Sequence, residues 1–458
     1  MQEFAMSMLK PGSHVHMIGI GGISMSALAH MLMDFGYRIS GSDTKASNLT
    51  HDLEAAGAII QIGQCAENID APDLVCYTAA ISNENPELIK ARTLDIPVIE
   101  RAELLGALMD LYEYPIAIAG THGKTTTTSM MALVLLAAET DPTILVGGEL
   151  AQIGGNFRLG KKKYLPFEAC EYVESFLHFR PFLSIITNVE EDHLDYFSDI
   201  NHIISSFRKF ARLTSPSGCI IVCSDDKNVC RVVQNVEKNV LSYGIKNTEA
   251  DYQAANIRLD DKGRASFTVL HHGEPLTEIS LSVAGEHNIL NALAVTAASV
   301  FLGIPMEAVQ KGLKEFGGTK RRFEHIGKVN GCDIVDDYAH HPTEIRATLH
   351  AARSMGYQRI WTVFQPHTYS RTKHLLEEFA EVLPLSDKVM IADIYPAREK
   401  YDGTIHSCDL TRKIPNAIYM SDNNAIARYL KEHVKAGDLL ITMGAGDVNS
   451  IAYQLKEE

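Results

Sequence analysis

Residues 119–126, Ala-Gly-Thr-His-Gly-Lys-Thr-Thr, join two glycines to a lysine and to hydroxyl side chains. Glycines let backbone N–H groups wrap a phosphate, a lysine reaches the outer phosphate oxygens, and a threonine hydroxyl ligates Mg²⁺. The loop is shorter than the common GxxxxGK(S/T) form, because the residue six positions before Lys124 is Ile118. The alternative, an ordinary strand–turn–helix corner, leaves the Lys-Thr pair and the acids downstream without a role. The predicted phosphate contacts are Gly120, Thr121, His122, Gly123, Lys124, Thr125 and Thr126.

Acidic residues follow two later strand-like runs. Glu168 and Glu171 come after one of them, and residues 187–195, Thr-Asn-Val-Glu-Glu-Asp-His-Leu-Asp, come after the other. The carboxyl ends of parallel strands line a ligand crevice, and Mg²⁺ prefers carboxylate and phosphate oxygens. These acids are therefore natural Mg²⁺ ligands beside a phosphate loop. His193 is an unusual ligand for that ion on general grounds, which favours a positioning or hydrogen-bonding role.

Three further polar groups stand where helices are predicted to start or strands to end. His287 and Asn291 share one helix face, where an amide can meet an adenine edge, although a polar helix start is the plainer interpretation. The cations at 320–322 suit phosphate or carboxylate recognition, or else belong to a solvated linker. Residues 336–342 and 365–372 end consecutive strands, and their clustered polar side chains favour a site over chance.

The first strand-to-helix turn, residues 19–24, is similar to the dinucleotide fingerprint GxGxxG, with a serine in place of the last glycine. A second strand ends about twenty residues further on, at Asp43, where an acid can hold a ribose hydroxyl. The pattern predicts binding of a diphosphate-containing nucleotide and does not identify NAD. The residues concerned are Gly19, Gly21, Gly22, Ser24 and Asp43.

The whole chain has the composition of a globular protein with several domains. Its 458 residues include 57 acidic and 42 basic side chains, a formal net charge of −15, and 46% are apolar. So acidic a chain lacks the electrostatic footprint of a nucleic-acid binder. Eight cysteines without a CxxC pair predict reduced thiols rather than a disulfide framework or a zinc ribbon. The sequence shows no leader-like start and no apolar run of about 20 residues, so we expect a cytoplasmic protein without membrane insertion.

Short apolar runs alternate with helix-period segments, which predicts an α/β fold with mostly parallel sheets. We divide the chain into three zones, residues 1–112, 113–318 and 319–458. Within the second zone, residues 252–283 alternate around two turn signals and predict antiparallel hairpins at a sheet edge. Paired glycines in residues 317–322 predict a hinge between the second and third zones.

The motifs in this order resemble the Mur ligase family of peptidoglycan synthesis, over nearly the whole chain. The supporting segments are HMIGIGGISMSALA at 16–29, SGSD at 40–43, GTHGKTTT at 120–127, TNVEEDHLDYF at 187–197, GEHNILNALA at 285–294, GTKRRFE at 318–324, DDYAHHPTE at 336–344 and QPHTYSRT at 365–372. The resemblance implies three domains with the zone boundaries above. They are a Rossmann-like UDP-sugar-binding domain, a central phosphate-loop ATPase domain, and a Rossmann-like C-terminal domain on the amino-acid side.

The activity that the resemblance implies is ATP-dependent joining of L-alanine to the lactyl carboxylate of UDP-N-acetylmuramate through an acyl phosphate. A related activity joins a preformed tripeptide to the same nucleotide sugar. By this likeness the turn at 19–24 holds the UDP diphosphate and Asp43 the nucleotide end. Residues 120–126 hold ATP, with His287 and Asn291 at the adenine.

The implied metal site has two Mg²⁺ ions on Thr125, Glu171 and His193. Arg322, His340 and Arg371 are implied around the phosphate and the incoming L-alanine. The implied catalytic set is Lys124, Glu171, His193, Arg322, His340 and Arg371.

The chain departs from the family pattern at two places. Many relatives have EADESD where this chain has Glu-Ala-Cys-Glu-Tyr-Val at 168–173, so the next acid is shifted to Glu174. Sister ligases carry a carbamylated lysine fifteen positions after the histidine, where this chain has Arg208, so we expect no carbamate.

Several alternatives stay open at this point. A nicotinamide dehydrogenase would account for residues 19–24 but not for the lysine loop, and a non-catalytic nucleotide-binding scaffold would bind ATP without amino-acid-dependent phosphate release. The oligomeric state, the preference among L-alanine, serine and glycine, and the general base, His193 or His340, are also open. As a loop residue, Lys124 is expected to be exposed, so its replacement should remove turnover with little change in stability.

Overall fold

The computed structural model describes residue 6 and residues 9–10, 12–78, 80–397, 399–401 and 403–456. The prediction about a leader rests on N-terminal residues, some of which lie outside these ranges. The described chain forms three β-sheets in sequence order, with helices packed on their faces. The predicted α/β class with mostly parallel sheets and some antiparallel hairpins is confirmed.

The first sheet is entirely parallel. Its elements are β1 (His14–Ile18), α1 (Ile23–Asp34), β2 (Arg38–Asp43), α2 (Asn48–Ala55), β3 (Ile59–Ile62), β4 (Leu74–Tyr77), α3 (Pro86–Thr93), β5 (Val98–Glu100) and α4 (Arg101–Met109). The strand order is β3-β2-β1-β4-β5, so the direction of winding reverses beside β1. Ligands of open α/β sheets bind at such a switch point, outside the carboxyl ends of the strands. The glycine turn that follows β1 lies there.

The central sheet has ten strands. Its elements are β6 (Tyr114–Ala119), α5 (Lys124–Ala137), β7 (Ile144–Leu150), β8 (Gly155–Arg158), β9 (Tyr164–Glu168), β10 (Leu183–Ile186), α6 (Ile200–Leu213), β11 (Cys219–Cys223), α7 (Lys227–Val233), β12 (Val240–Gly244), β13 (Tyr252–Leu259), β14 (Arg264–His271), β15 (Glu274–Ala284), α8 (Glu286–Phe301) and α9 (Met306–Glu315). The order is β15-β14-β13-β12-β11-β10-β6-β9-β7-β8.

Antiparallel hairpins close both edges of the central sheet. Strands β13, β14 and β15 form the edge that the alternation at 252–283 predicts, and their turns contain Gly263 and Gly273 with φ of +69° and +82°. The hairpin of β7 and β8 at the opposite edge was not predicted. Helix α5 lies buried between the sheet and α9, where a Cβ on Gly312 would stand only 2.5 Å from Cα of Val134. This packing holds the C-terminal half of α5 against α9.

The third sheet has six strands. Its elements are β16 (Glu324–Val329), β17 (Cys332–Asp337), α10 (Pro342–Arg353), β18 (Arg359–Phe364), α11 (Tyr369–His374), α12 (Leu376–Val382), β19 (Lys388–Ile391), α13 (Ser407–Lys413), β20 (Ile418–Tyr419), α14 (Asn423–His433), β21 (Asp438–Met443) and α15 (Asn449–Leu455). The order is β16-β17-β21-β18-β19-β20, and only the pairing of β16 with β17 is antiparallel. Within the part of the chain that the structure covers, no helix is both long and apolar enough to cross a membrane.

Candidate functional site

The phosphate loop lies between the buried end of β6 and the start of α5. Gly120 has φ +138° and Gly123 has φ +82°, backbone conformations that residues with side chains rarely adopt. A Cβ on Gly123 would stand 3.0 Å from Oδ1 of Asn291, and one on Gly120 would collide with Oγ1 of Thr187. Both glycines are therefore required by dihedral angle and by space, as a close-fitting phosphate cradle demands.

The segment after β10 holds the phosphate loop from the side. Oδ1 of Asn188 accepts a hydrogen bond from the backbone N–H of His122 at 2.8 Å, and its Nδ2 donates to the His122 carbonyl at 3.0 Å. Oγ1 of Thr187 donates to the same carbonyl at 2.6 Å. Groups fixed in this way need no reorganisation during a reaction, which is the main advantage of a preformed site. Neither Thr187 nor Asn188 was predicted from the sequence to have a role of its own.

Lys124 is paired with a buried carboxylate. Its Nζ lies 3.0 Å from Oε2 of Glu171, and the two side chains are 17% and 4% exposed. Burial lowers the pKa of Lys124, but the Glu171 carboxylate outweighs burial and holds that pKa above its ordinary value. The expectation of an exposed Lys124 is wrong, because the loop folds the lysine back onto Glu171 and onto the carbonyl of Thr121 at 3.1 Å.

The residues predicted to bind Mg²⁺ lie on three different segments. Glu171 is engaged by Lys124, and the ring of His193 lies 4.8 Å from that of Tyr172, the next residue after Glu171. Thr125 lies in the first turn of α5, with its methyl group 3.2 Å from the position of a Cβ on Gly148. Their metal role stays a prediction.

The shifted acid Glu174 points elsewhere. Its Oε1 lies 3.0 Å from Nζ of Lys209 on α6, and its Oε2 accepts a hydrogen bond from the Tyr196 hydroxyl at 3.3 Å. On the same helix, the guanidinium of Arg208 donates to the carbonyl groups of Arg231 and Val232 at the end of α7.

Arg371 bridges the central and C-terminal parts of the chain. Its Nη2 and Nε donate to the same oxygen, Oδ1 of Asp192, at 2.7 and 3.1 Å, and its Nη1 lies 3.1 Å from Nδ1 of His367. Burial raises the pKa of Asp192, but the guanidinium of Arg371 prevails and holds that pKa well below its usual range. A cleft of about 650 Å³ opens beside this bridge. It is lined by residues of both parts, among them Tyr172, His193, His367, Ser370, Arg371 and Glu399.

His340 lies beside this bridge as a neutral imidazole. Burial lowers its pKa to about 4, against the opposing charge of Glu344. Its Nδ1 lies 2.9 Å from the carbonyl oxygen of Tyr338, which can only accept, so Nδ1 carries the hydrogen and Nε2 keeps its lone pair. Arg322 approaches from the other side, with Nη1 3.4 Å from Oε1 of Glu344.

A second set of contacts joins the phosphate loop to α10. Nδ1 of His122 lies 3.3 Å from Oε1 of Glu344, and Nε2 of His122 lies 3.2 Å from Oε2 of Glu190. Thr343 Oγ1 donates to the same Glu190 oxygen at 2.6 Å. Burial lowers the pKa of His122, but the carboxylates of Glu344 and Glu190 outweigh it and raise the pKa to about 9. His122 is thus a buried cation between two carboxylates of different sheets.

This cation predicts how stability depends on pH in metal-free buffer. The pKa of His122 rises from about 6.5 in the unfolded chain to about 9, so its contribution is complete below pH 6.5 and is lost as pH rises through 9. We expect the melting temperature to fall between pH 6.5 and 9, and to fall much less in His122→Gln. Calorimetry with EDTA present measures this, with His51→Gln at an exposed His–Glu pair as the control. An equal fall in both variants would refute the assignment.

The turn after β1 brings together the residues predicted to bind the UDP group. Gly19 has φ +80°, and the N–H of Gly21 donates to Oδ2 of Asp43 at 2.9 Å. Oδ1 of Asp43 accepts from the N–H of Thr44 at 2.7 Å. Asp43 therefore braces the turn, and a Cβ on Gly21 would stand 2.9 Å from its carboxylate.

A side chain at position 21 should therefore separate the two predicted nucleotide sites. We expect Gly21→Val to lose UDP-N-acetylmuramate binding and to keep ATP binding, because valine displaces Asp43 and fills the turn. Isothermal titration calorimetry with each ligand measures both affinities, and Gly155→Ala, at a glycine without positive φ and with open space around its Cβ position, is the control. Equal loss of both ligands in Gly21→Val would contradict separate sites.

The start of α8 lies against the phosphate loop. Asn291 is buried and contacts Gly123 as described, while Nδ2 of Asn291 donates to Oδ1 of Asn288 at 3.2 Å. His287, one turn earlier, is exposed. His287 and Asn291 thus lie on the same helix, and Asn291 lies against the phosphate loop. Contact of the two residues with adenine stays a prediction.

Comparison with known proteins matches all three parts of the chain. Family profiles described as "Mur ligase family, catalytic domain", "Mur ligase middle domain" and "Mur ligase, glutamate ligase domain" match residues 14–113, 118–299 and 321–446. The UDP-N-acetylmuramate–L-alanine ligase of Acetivibrio thermocellus is 52% identical over 452 residues, which are 97% of this chain and 96% of that protein. The chain belongs to the Mur ligase family.

Solved structures of Mur ligases agree with this assignment. The UDP-N-acetylmuramate–alanine ligase of Thermotoga maritima is 29% identical, with a TM-score of 0.79 over 97% of this chain and 98% of that one. A murein peptide ligase of Psychrobacter arcticus is 27% identical, with a TM-score of 0.72 over the same shares. Both match across all three sheets, so this Mur ligase shares its whole architecture with them.

Proposed function

We propose that this Mur ligase joins L-alanine to the lactyl carboxylate of UDP-N-acetylmuramate, converting ATP to ADP and phosphate. The observation that carries the proposal is full-length similarity, since relatives about half identical over almost the entire chain have that name. The geometry supports it with a phosphate loop, a glycine turn at a switch point and an interdomain cleft. We also propose the domain limits of 1–112 for the UDP-sugar, 113–318 for ATP and 319–458 for the amino acid.

The phosphate loop fits a nucleoside triphosphate. Its glycines have positive φ and close neighbours, and Lys124 is already a cation beside the loop carbonyls. Thr125, Glu171 and His193 supply a hydroxyl, a carboxylate and an imidazole. The two oxygen donors, on Thr125 and Glu171, fit the ligand preference of Mg²⁺. When bound, Mg²⁺ would neutralise phosphate charge. The proposed substrates ATP and UDP-N-acetylmuramate support a cytoplasmic location for the protein.

The reaction brings together two anions, a carboxylate and the γ-phosphate. A carboxylate is a poor electrophile toward an amine, so its oxygen attacks the γ-phosphorus, ADP leaves, and an acyl phosphate forms. Lys124 and Arg322 supply positive charge where negative charge accumulates, which is the largest protein contribution in such transfers. The amine of L-alanine then attacks the acyl carbon and phosphate leaves.

Arg371 and His340 serve the amino-acid half of the reaction. A guanidinium suits the carboxylate of L-alanine, and Arg371 is held in the cleft wall by Asp192. His340 has a free Nε2 lone pair and can take a proton from the alanine ammonium. Bound anionic substrates raise the pKa of a neighbouring imidazole, so His340 becomes a stronger base when the site is full. Among the described residues no ring hydrogen bond fixes the tautomer of His193, so we propose His340 as the base.

Phosphate release tests the proposed function. The full chain with ATP, Mg²⁺ and UDP-N-acetylmuramate should release phosphate when L-alanine is added, and a panel including serine, glycine and a preformed tripeptide measures preference. The tripeptide is included because the similar Psychrobacter arcticus protein is a murein peptide ligase. Release with the tripeptide alone would replace the proposed substrate, and no dependence on any of them would refute a ligase.

A further inference from the structure

The contacts between the phosphate loop and α10 contain three metal-ligating side chains. One ligand atom of each of His122, Glu190 and His341 lies within 4.8 Å of the other two, and the ion pairs with Oε2 of Glu190 involve Nε2 of His122 and Nδ1 of His341. The Glu190 oxygen is 3.2 Å from the His122 nitrogen and 3.6 Å from the His341 nitrogen. Ligands of a tetrahedral zinc ion with bonds of about 2.0–2.1 Å stand about 3.4 Å apart, so two of the three separations already match.

The hydrogen bonding of His341 leaves a lone pair facing this group. Its Nε2 lies 3.1 Å from the carbonyl oxygen of Glu191, which accepts only, so Nε2 carries the hydrogen. Nδ1 accepts a long bond of 3.4 Å from the N–H of Thr343 and otherwise faces the Glu190 oxygen. Two acceptors face each other there, and a cation between them would remove the conflict.

The second imidazole lies between two carboxylates, and its buried Nδ1 has no hydrogen-bond partner among the described residues. Nδ1 of His122 faces Oε1 of Glu344 at 3.3 Å, which leaves Nε2 as the atom directed at Glu190. Metal-bound histidines almost always direct their other ring nitrogen at a carboxylate or a carbonyl oxygen, which fixes the ring and its tautomer. His341 meets this condition through the carbonyl oxygen of Glu191, and the Glu344 carboxylate lies within ion-pair distance of Nδ1 of His122. A metal ion bound to Nε2 would place a positive charge beside the carboxylate of Glu190, on the side of the ring away from Glu344.

We propose that His122, Glu190 and His341 form a binding site for a zinc-class dication that joins the phosphate loop to the C-terminal domain. Two imidazoles with one carboxylate suit Zn²⁺, whereas Mg²⁺ prefers oxygen ligands, so this site differs in chemistry from the nucleotide metal site. Its ligands come from both the central and the third sheet, since His341 caps α10 while His122 and Glu190 follow β6 and β10. A bound ion would therefore fasten the two domains together.

Calorimetric titration of the EDTA-treated full chain with ZnCl2, in excess Mg²⁺, tests the site. We expect one zinc ion per chain, and at least tenfold weaker binding in each of Glu190→Gln and His341→Asn. Glutamine keeps an acceptor for Thr343, and asparagine is a good helix N-cap, so both variants retain the local hydrogen bonds. The control is His51→Asn, which removes an exposed histidine 3.3 Å from Glu54 and should leave zinc affinity unchanged.

X-ray absorption at the zinc edge keeps the test independent of variant folding. The unaltered chain with one equivalent of zinc should show two imidazole ligands and oxygen donors, and zinc should raise its melting temperature. Absence of zinc binding, equal binding by all four proteins, or a spectrum without imidazole scattering would each overturn the proposal.

Discussion

Replacing Lys124 by alanine should reduce amino-acid-dependent phosphate release by about 10²–10³-fold, the usual loss when one charge-stabilising donor is removed. The structure adds a second effect, because Glu171 would remain as a buried carboxylate without its partner. Breaking a buried ion pair from one side costs roughly 3–5 kcal/mol. We therefore expect a lower melting temperature as well as lost turnover, and urea unfolding with steady-state kinetics measures both.

A matched pair of variants separates the two effects of Lys124. Lys209→Ala removes a lysine from a more exposed pair with Glu174, and it should change neither turnover nor stability appreciably. The double variant Lys124→Met with Glu171→Gln removes both charges, so it should regain stability but not turnover. Normal turnover in Lys124→Ala, or stability equal to that of the unaltered chain, would contradict the assignment.

Replacing Arg371 by alanine should uncouple the C-terminal domain from the central one. Asp192 would lose the guanidinium that holds its buried carboxylate, and the cleft would lose its candidate partner for the L-alanine carboxylate. We expect kcat/KM for L-alanine to fall by at least about 100-fold, as removal of a charge-assisted clamp predicts. Small-angle scattering should show a larger radius of gyration than for the unaltered chain with all ligands bound.

The control for Arg371 lies on the same domain. Arg346→Ala breaks a partly exposed pair with Glu381, 2.9 Å apart, which does not cross between domains. It should leave kcat/KM and the scattering profile unchanged. Equal behaviour of Arg371→Ala and Arg346→Ala would show that the bridge to Asp192 has no part in closure or in amino-acid binding.

The fold was largely predictable because its signals are local. Strand β11 and the three-strand edge at 252–283 follow from apolar runs, alternation and turn glycines. The hairpin of β16 and β17 was missed although Asn330 and Gly331, both with positive φ, form the two-residue turn that an Asn-Gly pair favours.

The site was predictable only in its residue types. Lys124 and Glu171 are 47 positions apart, and Arg371 and Asp192 are 179 apart, so their pairing depends on how the sheets pack together. For the same reason the sequence could not show that His122 meets Glu344. Asn188 and His341 stood within recognised motifs, but their roles follow from the backbone groups that they contact.

Activation of the lactyl carboxylate as an acyl phosphate can be followed through the oxygen atoms of that carboxylate. UDP-N-acetylmuramate labelled with ¹⁸O in the lactyl carboxylate is incubated with the full chain, ATP, Mg²⁺ and L-alanine, and the released phosphate is examined by mass spectrometry. Because the attacking carboxylate oxygen leaves with the phosphorus, each phosphate should carry one ¹⁸O. Unlabelled phosphate together with formation of the alanine amide would contradict the account.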